Sequence, residues 1–295
     1  MNTAPTAQPP TARPTQWWLS ALRRRAPKMH EYTPPGDRVE FKSEAERRAA
    51  LKFFNAAFRA EESGIRQAHE LADEVADWDL ELSEVLRLYG NEEGWHRELL
   101  TEFLGKLGGR VEPMGRVTRT FYAVYARAKR MDTIVLTNLM FETIGSTTYR
   151  MALRNVSDPA VRSMLTILTR DEAFHVPLNV HFLRRILSRT VDGRRRLRRL
   201  HTLLFISLVL LPLASRPKAR AFDGIRTREL MRAYALELGR LFSREHDLQL
   251  TPPVWVLRLL GISDAELLRA AATSPTSVES AEAAIDRENV VVSAL

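Results

Sequence analysis

TRDEAFHV, residues 169–176, places Glu172 and His175 three positions apart, with a second acid, Asp171, directly before the glutamate. On a helix, positions i and i+3 lie about 60° apart and one turn along, so Glu172 and His175 project toward one point. One such pair is weak evidence in a chain with 36 Asp and Glu and 7 His. The reading turns on a second copy, and there is one. NEEGWHRELL, residues 91–100, repeats the device as Glu93 and His96, again with an acid, Glu92, just before. Each copy has a carboxylate upstream: FRAEESGIRQAH (58–69) holds Glu62 and LMFETIGSTTYR (139–150) holds Glu142. Glu62 precedes Glu93 by 31 positions and Glu142 precedes Glu172 by 30. The chain therefore carries two copies of helix with Glu, turn, helix with E-x-x-H.

The surroundings are helical. Helix A is expected near 43–76, helix B near 79–107 ending at Gly108-Gly109, helix C near 118–154 and helix D from Asp158-Pro159 to about 188. Glycine past a helix end and proline at a first helical position are the usual punctuation. Pro177 inside helix D is expected to kink it or force a bulge. The B–C connection is the long one. The expected class is all-α: a four-helix bundle with a crossover connection and additional C-terminal helices. Two E-x-x-H helices and two Glu helices converging on a bundle interior give four carboxylates and two imidazoles, enough for two metal ions. Leu51, Phe54, Phe58, Glu62, Ile65 and Ala72 fall on one broad stripe of helix A. Unpaired carboxylates there would be costly, and cations would compensate them.

This pattern resembles the ferritin-like di-iron carboxylate superfamily over roughly residues 45–188. AEESGIRQAH resembles the first metal helix of rubrerythrins, which selects Glu62 over Glu61. EEGWHRELLTEFL and DEAFH resemble the metal motifs of soluble acyl-carrier-protein desaturases and related oxygenases. DPAVRSMLTILTRDEAFH resembles the last metal helix of aldehyde-deformylating oxygenases. The resemblance implies two iron ions, with manganese or a mixed pair also suited to the ligand types, and O2 as co-substrate. It assigns Glu62, Glu93 and His96 mainly to one metal and Glu142, Glu172 and His175 to the other, Glu93 and Glu172 being the bridging candidates. Asp171 takes the place that orients a metal-bound histidine, and Glu92 is its equivalent in the first half. Ser146 lies where bacterial multicomponent monooxygenases keep a hydroxyl near the open iron face. Tyr149 and His69, each seven positions after a helix C or helix A ligand, return to the ligand faces. Three departures stand out. Rubrerythrin-type peroxidases carry a Glu where this chain has Gly145, and usually a Cys-rich module. Arylamine N-oxygenases carry a His where it has Leu168.

Composition sets outer limits. The 295 residues contain no Cys, which excludes disulfides, thiolate zinc sites and Cys-ligated clusters, so any metal site uses His, Asp and Glu. MNTAPTAQPPTARPTQ has no apolar signal core, and a cytoplasmic protein, peripheral at a membrane at most, is expected. The net charge is +8, and RRILSRTVDGRRRLRR (184–199) carries eight Arg against one Asp. Such a face suits an acidic protein or an anionic membrane surface. No nucleic-acid motif accompanies it, and nucleic acid is not expected. Residues 1–40 read as a flexible Pro/Thr-rich tail with a basic Trp-containing segment, WWLSALRRR (17–25), which is a short interfacial helix or, by preference, an arm packed on the body. Residues 41–190 read as the di-metal bundle, 191–272 as helices packing on it and 273–295 as a loose tail or a weak terminal helix. TLLFISLVLLPLA (202–214) is too short to span a bilayer and reads as buried or membrane-touching. Further helices are expected near 223–243, 253–260 and 264–272. The expected function is O2-activating oxidoreduction, oxygenation or desaturation, of a small organic, hydrophobic or carrier-linked substrate. It calls for an external electron donor, ferredoxin-like or a reductase, and a homodimer is expected. The alternatives are a ferroxidase or iron-binding protein, and a scaffold working through its basic face.

Overall fold

The computed structural model describes residues 12–27, 39–114, 119, 122–123, 128–189, 194–214, 225–273 and 279–285. Among them there is no strand. Four long helices form the bundle: α2 (Glu44–Ala76), α3 (Leu80–Lys106), α4 (Met131–Asn155) and α5 (Pro159–Leu187). A short helix, α1 (Thr15–Arg25), precedes them. After them come α6 (Arg194–Ala214), α7 (Thr227–Arg244), a 3-10 turn (His246–Leu248), α8 (Val254–Leu259) and α9 (Asp264–Thr273). Helix α2 packs mainly on α3, and α4 on α5, giving two antiparallel hairpins joined by the long connection. Helix α1 lies on α3, while α6 and α7 cover α4.

The helix limits follow from their caps. Ser43 accepts from the Glu46 amide, while the Glu46 carboxylate accepts from the Lys42 amide, so exposed donors at the start of α2 are satisfied from both sides. Asp79 caps α3 through Leu82, and Asp158 caps α5 through Val161 with Pro159 in the first turn. At the end of α3, Gly108 has φ +70°, and Gly109 N–H closes onto the Leu104 carbonyl at 3.0 Å. That is the left-handed turn in which glycine costs least. Helix α5 runs on through Pro177.

Three expectations gain detail. Helix C was expected over 118–154; Arg119, Tyr122 and Ala123 are helical, but Ala128–Arg130 are not, so the expected helix is interrupted and α4 starts at Met131. Lys129 and Arg130 would oppose the positive end of a helix dipole, whereas Asp132 in the first turn complements it. Part of 118–127 lies outside the described residues. Within the expected tail over 1–40, the Trp-containing segment forms α1 and packs on the body as an arm: Trp18 and Leu22 are each 1% exposed, and Trp18 packs against Phe174 of α5. Of the two readings of 273–295, loose tail or weak helix, residues 279–285 take the helix, with Ala281 and Ala284 buried and Glu282 paired with Arg13 beside α1.

The apolar run at 202–214 forms the later part of α6. Phe205, Leu208 and Val209 face the core, while Leu203, Leu210 and Leu213 are exposed. No helix among the described residues is long and apolar enough to cross a membrane.

Candidate metal centre

The four bundle helices deliver their acids and imidazoles to one interior point. Glu93, His96 and His175 form one group of possible ligands and Glu142, Glu172 and His175 another; within each group the ligand atoms lie within 4.8 Å of one another. The two imidazole rings are 5.4 Å apart. Glu93, His96, Glu172 and His175 are all essentially buried, and Glu142 is half-buried.

Of the two adjacent α2 acids, Glu61 and not Glu62 faces this cluster. Glu61 is 3% exposed, and its Oε2 lies 3.6 Å from His96 Nδ1. Glu62 points sideways and pairs with Arg59 at 2.6 Å. The reason is helical phase. The most deeply covered positions of α2 are Ala50, Phe54, Ala68, Leu71, Ala72 and Val75, and Glu61 falls near the axis of that stripe. Glu62 falls about 100° off it. Gly64, one turn on, leaves room for a partner: a Cβ there would lie 3.0 Å from Glu93 Oε2.

Behind the ligands, the hydrogen bonds cross between the hairpins. His96 on α3 donates from Nε2 to Asp171 of α5 (3.0 Å), and His175 on α5 donates from Nε2 to Glu92 of α3 (2.9 Å). Burial alone would raise both acids. The Arg25 charge and the His175 bond instead hold Glu92 at about 2, and the charges of Arg170 and Arg25 with the His96 bond hold Asp171 well below the usual carboxylate range. Both acids are therefore anionic and accept only. Nε2 must carry the proton, and in a neutral ring Nδ1 then presents its lone pair.

The atoms left over are the ones a metal would take. Glu93 Oε1, His96 Nδ1, Glu172 Oε2 and His175 Nδ1 are buried and make no well-directed hydrogen bond, with His175 Nδ1 and Glu93 Oε1 only 3.1 Å apart. Buried polar groups are nearly always satisfied, so four orphans converging on one point need a common partner. The carboxylates carry the same message. Burial, then mutual repulsion, raises Glu93 to about 7; burial likewise raises Glu61 to about 7 against the hydrogen bond it shares with Glu93. Burial and Glu142 raise Glu172 well above its ordinary range. Burial disfavours charge on His175, yet Glu93 and Glu92 outweigh it and raise its pKa well above normal. Protons occupy the place that cations would neutralise better, and the donor set of carboxylate and imidazole fits Fe, Mn or Zn.

Residues 52–178 match the Rubrerythrin family model. This domain is a member of the ferritin-like di-iron carboxylate superfamily, and the match spans all four ligand-bearing helices. No curated protein and no solved structure matches the chain. Within the Rubrerythrin-type domain, the remaining expected residues take separate places. Ser146 is 8% exposed on α4. Tyr149 is buried against Phe53, and its hydroxyl is raised by burial and by the surrounding Glu61, Glu172, Glu142 and Glu93. Asp171 and Glu92 stand behind the histidines as described. His69 is half-buried, and its ring sits where a Cβ at Gly90 of α3 would meet it at 3.1 Å; it belongs to neither ligand group.

Three contributors escaped the sequence reading. Tyr89 donates to Glu142 Oε1 at 2.8 Å and stacks edge-on against His175. It sits one turn before Glu93 on the same face of α3, so its position was a usable signal. Tyr122, in the crossover, is raised by burial and by the charge of Glu61; nothing in its sequence context marks it. Arg25 reaches the centre from outside the bundle.

Proposed function

We propose that this chain is a non-haem di-iron oxidoreductase that uses O2 to oxygenate or desaturate an organic substrate. Glu61, Glu93 and His96 would hold one metal, and Glu142, Glu172 and His175 the other. Two bound Fe(II) ions would supply electrons and open coordination positions for O2.

The observation that carries the reading is the α4 wall of the centre. One turn past Glu142, Gly145 offers space: a Cβ there would meet only Tyr149 at 3.8 Å and Glu172 Oε1 at 3.9 Å, both ordinary contacts. Ser146 follows. Its neighbours Thr143, Thr147 and Thr148 each donate back to the preceding turn's carbonyl. Ser146 forms no such bond among the described residues, so its hydroxyl stays available as a donor or proton relay. A small residue and a free hydroxyl beside a buried acid cluster suit a reacting partner better than another metal ligand would. Tyr89 and Tyr149, both held protonated by burial, can supply further protons or hydrogen bonds at Glu142 and near Glu172.

The chain has no Cys to build an iron–sulfur relay, so electrons would come from an external donor. The exposed Arg194, Arg195 and Arg199 at the start of α6 would receive an acidic donor or acidic carrier protein. The test is anaerobic loading with Fe(II), one pulse of O2, and mass spectrometry of fatty acids, aldehydes and arylamines offered together. A product gaining oxygen or losing two hydrogens is expected. Ser146→Ala should load iron normally and release more peroxide per O2 consumed. Oxygen uptake ending only in ferric mineral would replace this reading with ferroxidase.

A further inference from the structure

Helix α1 lies outside the segment matched by the Rubrerythrin model, yet its last residue enters the interior of the bundle. Arg25 is 4% exposed. Its Nε donates to Glu92 Oε1 at 2.8 Å and its Nη2 to Glu92 Oε2 at 3.1 Å, a forked pair. The same Nη2 donates to Asp171 Oδ1 at 3.1 Å. The guanidinium lies 4.4 Å from the centre of the Phe174 ring, which fixes its plane. One side chain thus bridges the two acids that hold the two histidines.

We infer that Arg25 is a positioning residue of the metal centre: the N-terminal helix supplies the cation that keeps Glu92 and Asp171 aimed at His175 and His96, and so turns both Nδ1 atoms inward. The inference rests on the metal-centre assignment and not on the chemistry proposed for it.

The geometry explains why arginine is required. A fork can satisfy two oxygens of Glu92 and still reach Asp171; an ammonium is a point charge and cannot do both in fixed directions. The two acids also depend on Arg25 unequally. Asp171 has a second guanidinium, Arg170, at 2.8 and 3.1 Å. Glu92 is held by Arg25 and His175. Loss of Arg25 therefore disturbs the Glu92–His175 pair more than the Asp171–His96 pair, and His175 belongs to both ligand groups. The docking of α1 is built for this placement. Trp18 and Leu22 bury one face of the helix, Thr15 bonds His181 of α5 at 3.1 Å, and Arg23 pairs with Glu84 of α3 at 2.6 Å. Between them these contacts tie α1 to both E-x-x-H helices.

Zn(II), which suits the same ligands and is diamagnetic, is the probe. Its affinity for the full chain is measured by chelator competition, and the ring Nε2–H protons of His96 and His175 are followed by NMR in the loaded protein. In the wild type both protons should be hydrogen-bonded and slow to exchange with water. Arg25→Met should weaken Zn(II) binding by about 10- to 100-fold, the range for losing an outer partner of a metal ligand, and should speed exchange at His175 more than at His96. Arg25→Lys keeps the charge and guards against a Met variant that does not fold; it should recover part of the affinity, leaving a loss of about three- to tenfold. Wild-type affinity and exchange in Arg25→Lys, or in a folded Arg25→Met, overturns the inference. So does a loaded wild type in which neither proton is protected. A wild-type chain that takes up no metal overturns the metal centre itself, and this inference with it, before any variant is compared.

Discussion

Gly64→Ala should separate the stability of the fold from the quality of the site. Gly64 lies in the middle of α2, where glycine costs about 1 kcal/mol relative to alanine. On backbone grounds the substitution stabilises the helix. The new Cβ, however, would stand 3.0 Å from Glu93 Oε2, 3.3 Å from Cδ and 3.4 Å from Cγ. All three atoms belong to one flexible side chain, so the carboxylate yields by a few tenths of an ångström instead of α2 moving from α3. A functional carboxylate tolerates displacements of only about 0.5 Å. The two effects therefore have opposite signs. The metal-free protein should melt at an unchanged or higher temperature, by about 2 °C for 1 kcal/mol in a chain of this size. Metal affinity should fall about tenfold, which is about 1.4 kcal/mol. Calorimetry of the metal-free protein and chelator competition with Fe(II) or Zn(II) give the two numbers. Unchanged affinity in a variant that folds normally would refute the reasoning, because Glu93 would then either not ligate or not be confined by α2.

Glu61→Gln should lower metal stoichiometry or affinity sharply, while Glu62→Gln should leave both unchanged; elemental analysis of the two purified variants decides between them. Asp171→Asn should weaken metal binding by about 10- to 100-fold by removing an anionic acceptor from His96, and wild-type binding in that variant would reduce Asp171 to a packing residue. His201 is buried against Phe242 and its pKa is lowered to about 4 by burial. The folded state then binds fewer protons than the unfolded state between about pH 4 and 6.5. Its contribution is full above 6.5 and is lost as pH falls through that window. From pH 6.5 to 5 the loss is about 2 kcal/mol, and denaturant melts of wild type against His201→Leu should show the difference shrinking by that amount as pH falls.

The convergence of the acids and imidazoles was largely legible because its signal is periodic. An acid–acid–x–x–His unit on each of two helices leaves little freedom in where Glu93, His96, Glu172 and His175 point, since the 3.6-residue turn does the pointing. Glu61 and Glu62 were harder, because adjacent acids differ only in phase. The apolar residues that set the phase of α2, Ala50, Phe54, Ala57 and Ala68, include three alanines, which a hydrophobic stripe read from Leu, Ile and Phe passes over. Arg25 was not legible at all. A tryptophan-and-arginine segment behind a Pro/Thr-rich start reads as an interfacial helix or an arm packed on the body, and neither reading says where Arg25 lands, because its partners lie on α3 and α5, 67 and 146 residues away. The break before α4 was missed for a similar reason: TFYAVYARAKR has helical composition throughout, Tyr122 and Ala123 are helical, and only the dipole argument at Lys129 and Arg130 marks the interruption.

The crossed pairing of His96 with Asp171 and His175 with Glu92 has a consequence for assembly. Each hairpin carries a histidine whose orienting acid belongs to the other hairpin. Neither α2–α3 nor α4–α5, folded alone, can set the ring of its own ligand. Tight metal capture would therefore wait until the two halves have joined, and occupancy of the centre would then report that both halves of a duplicated plan have folded.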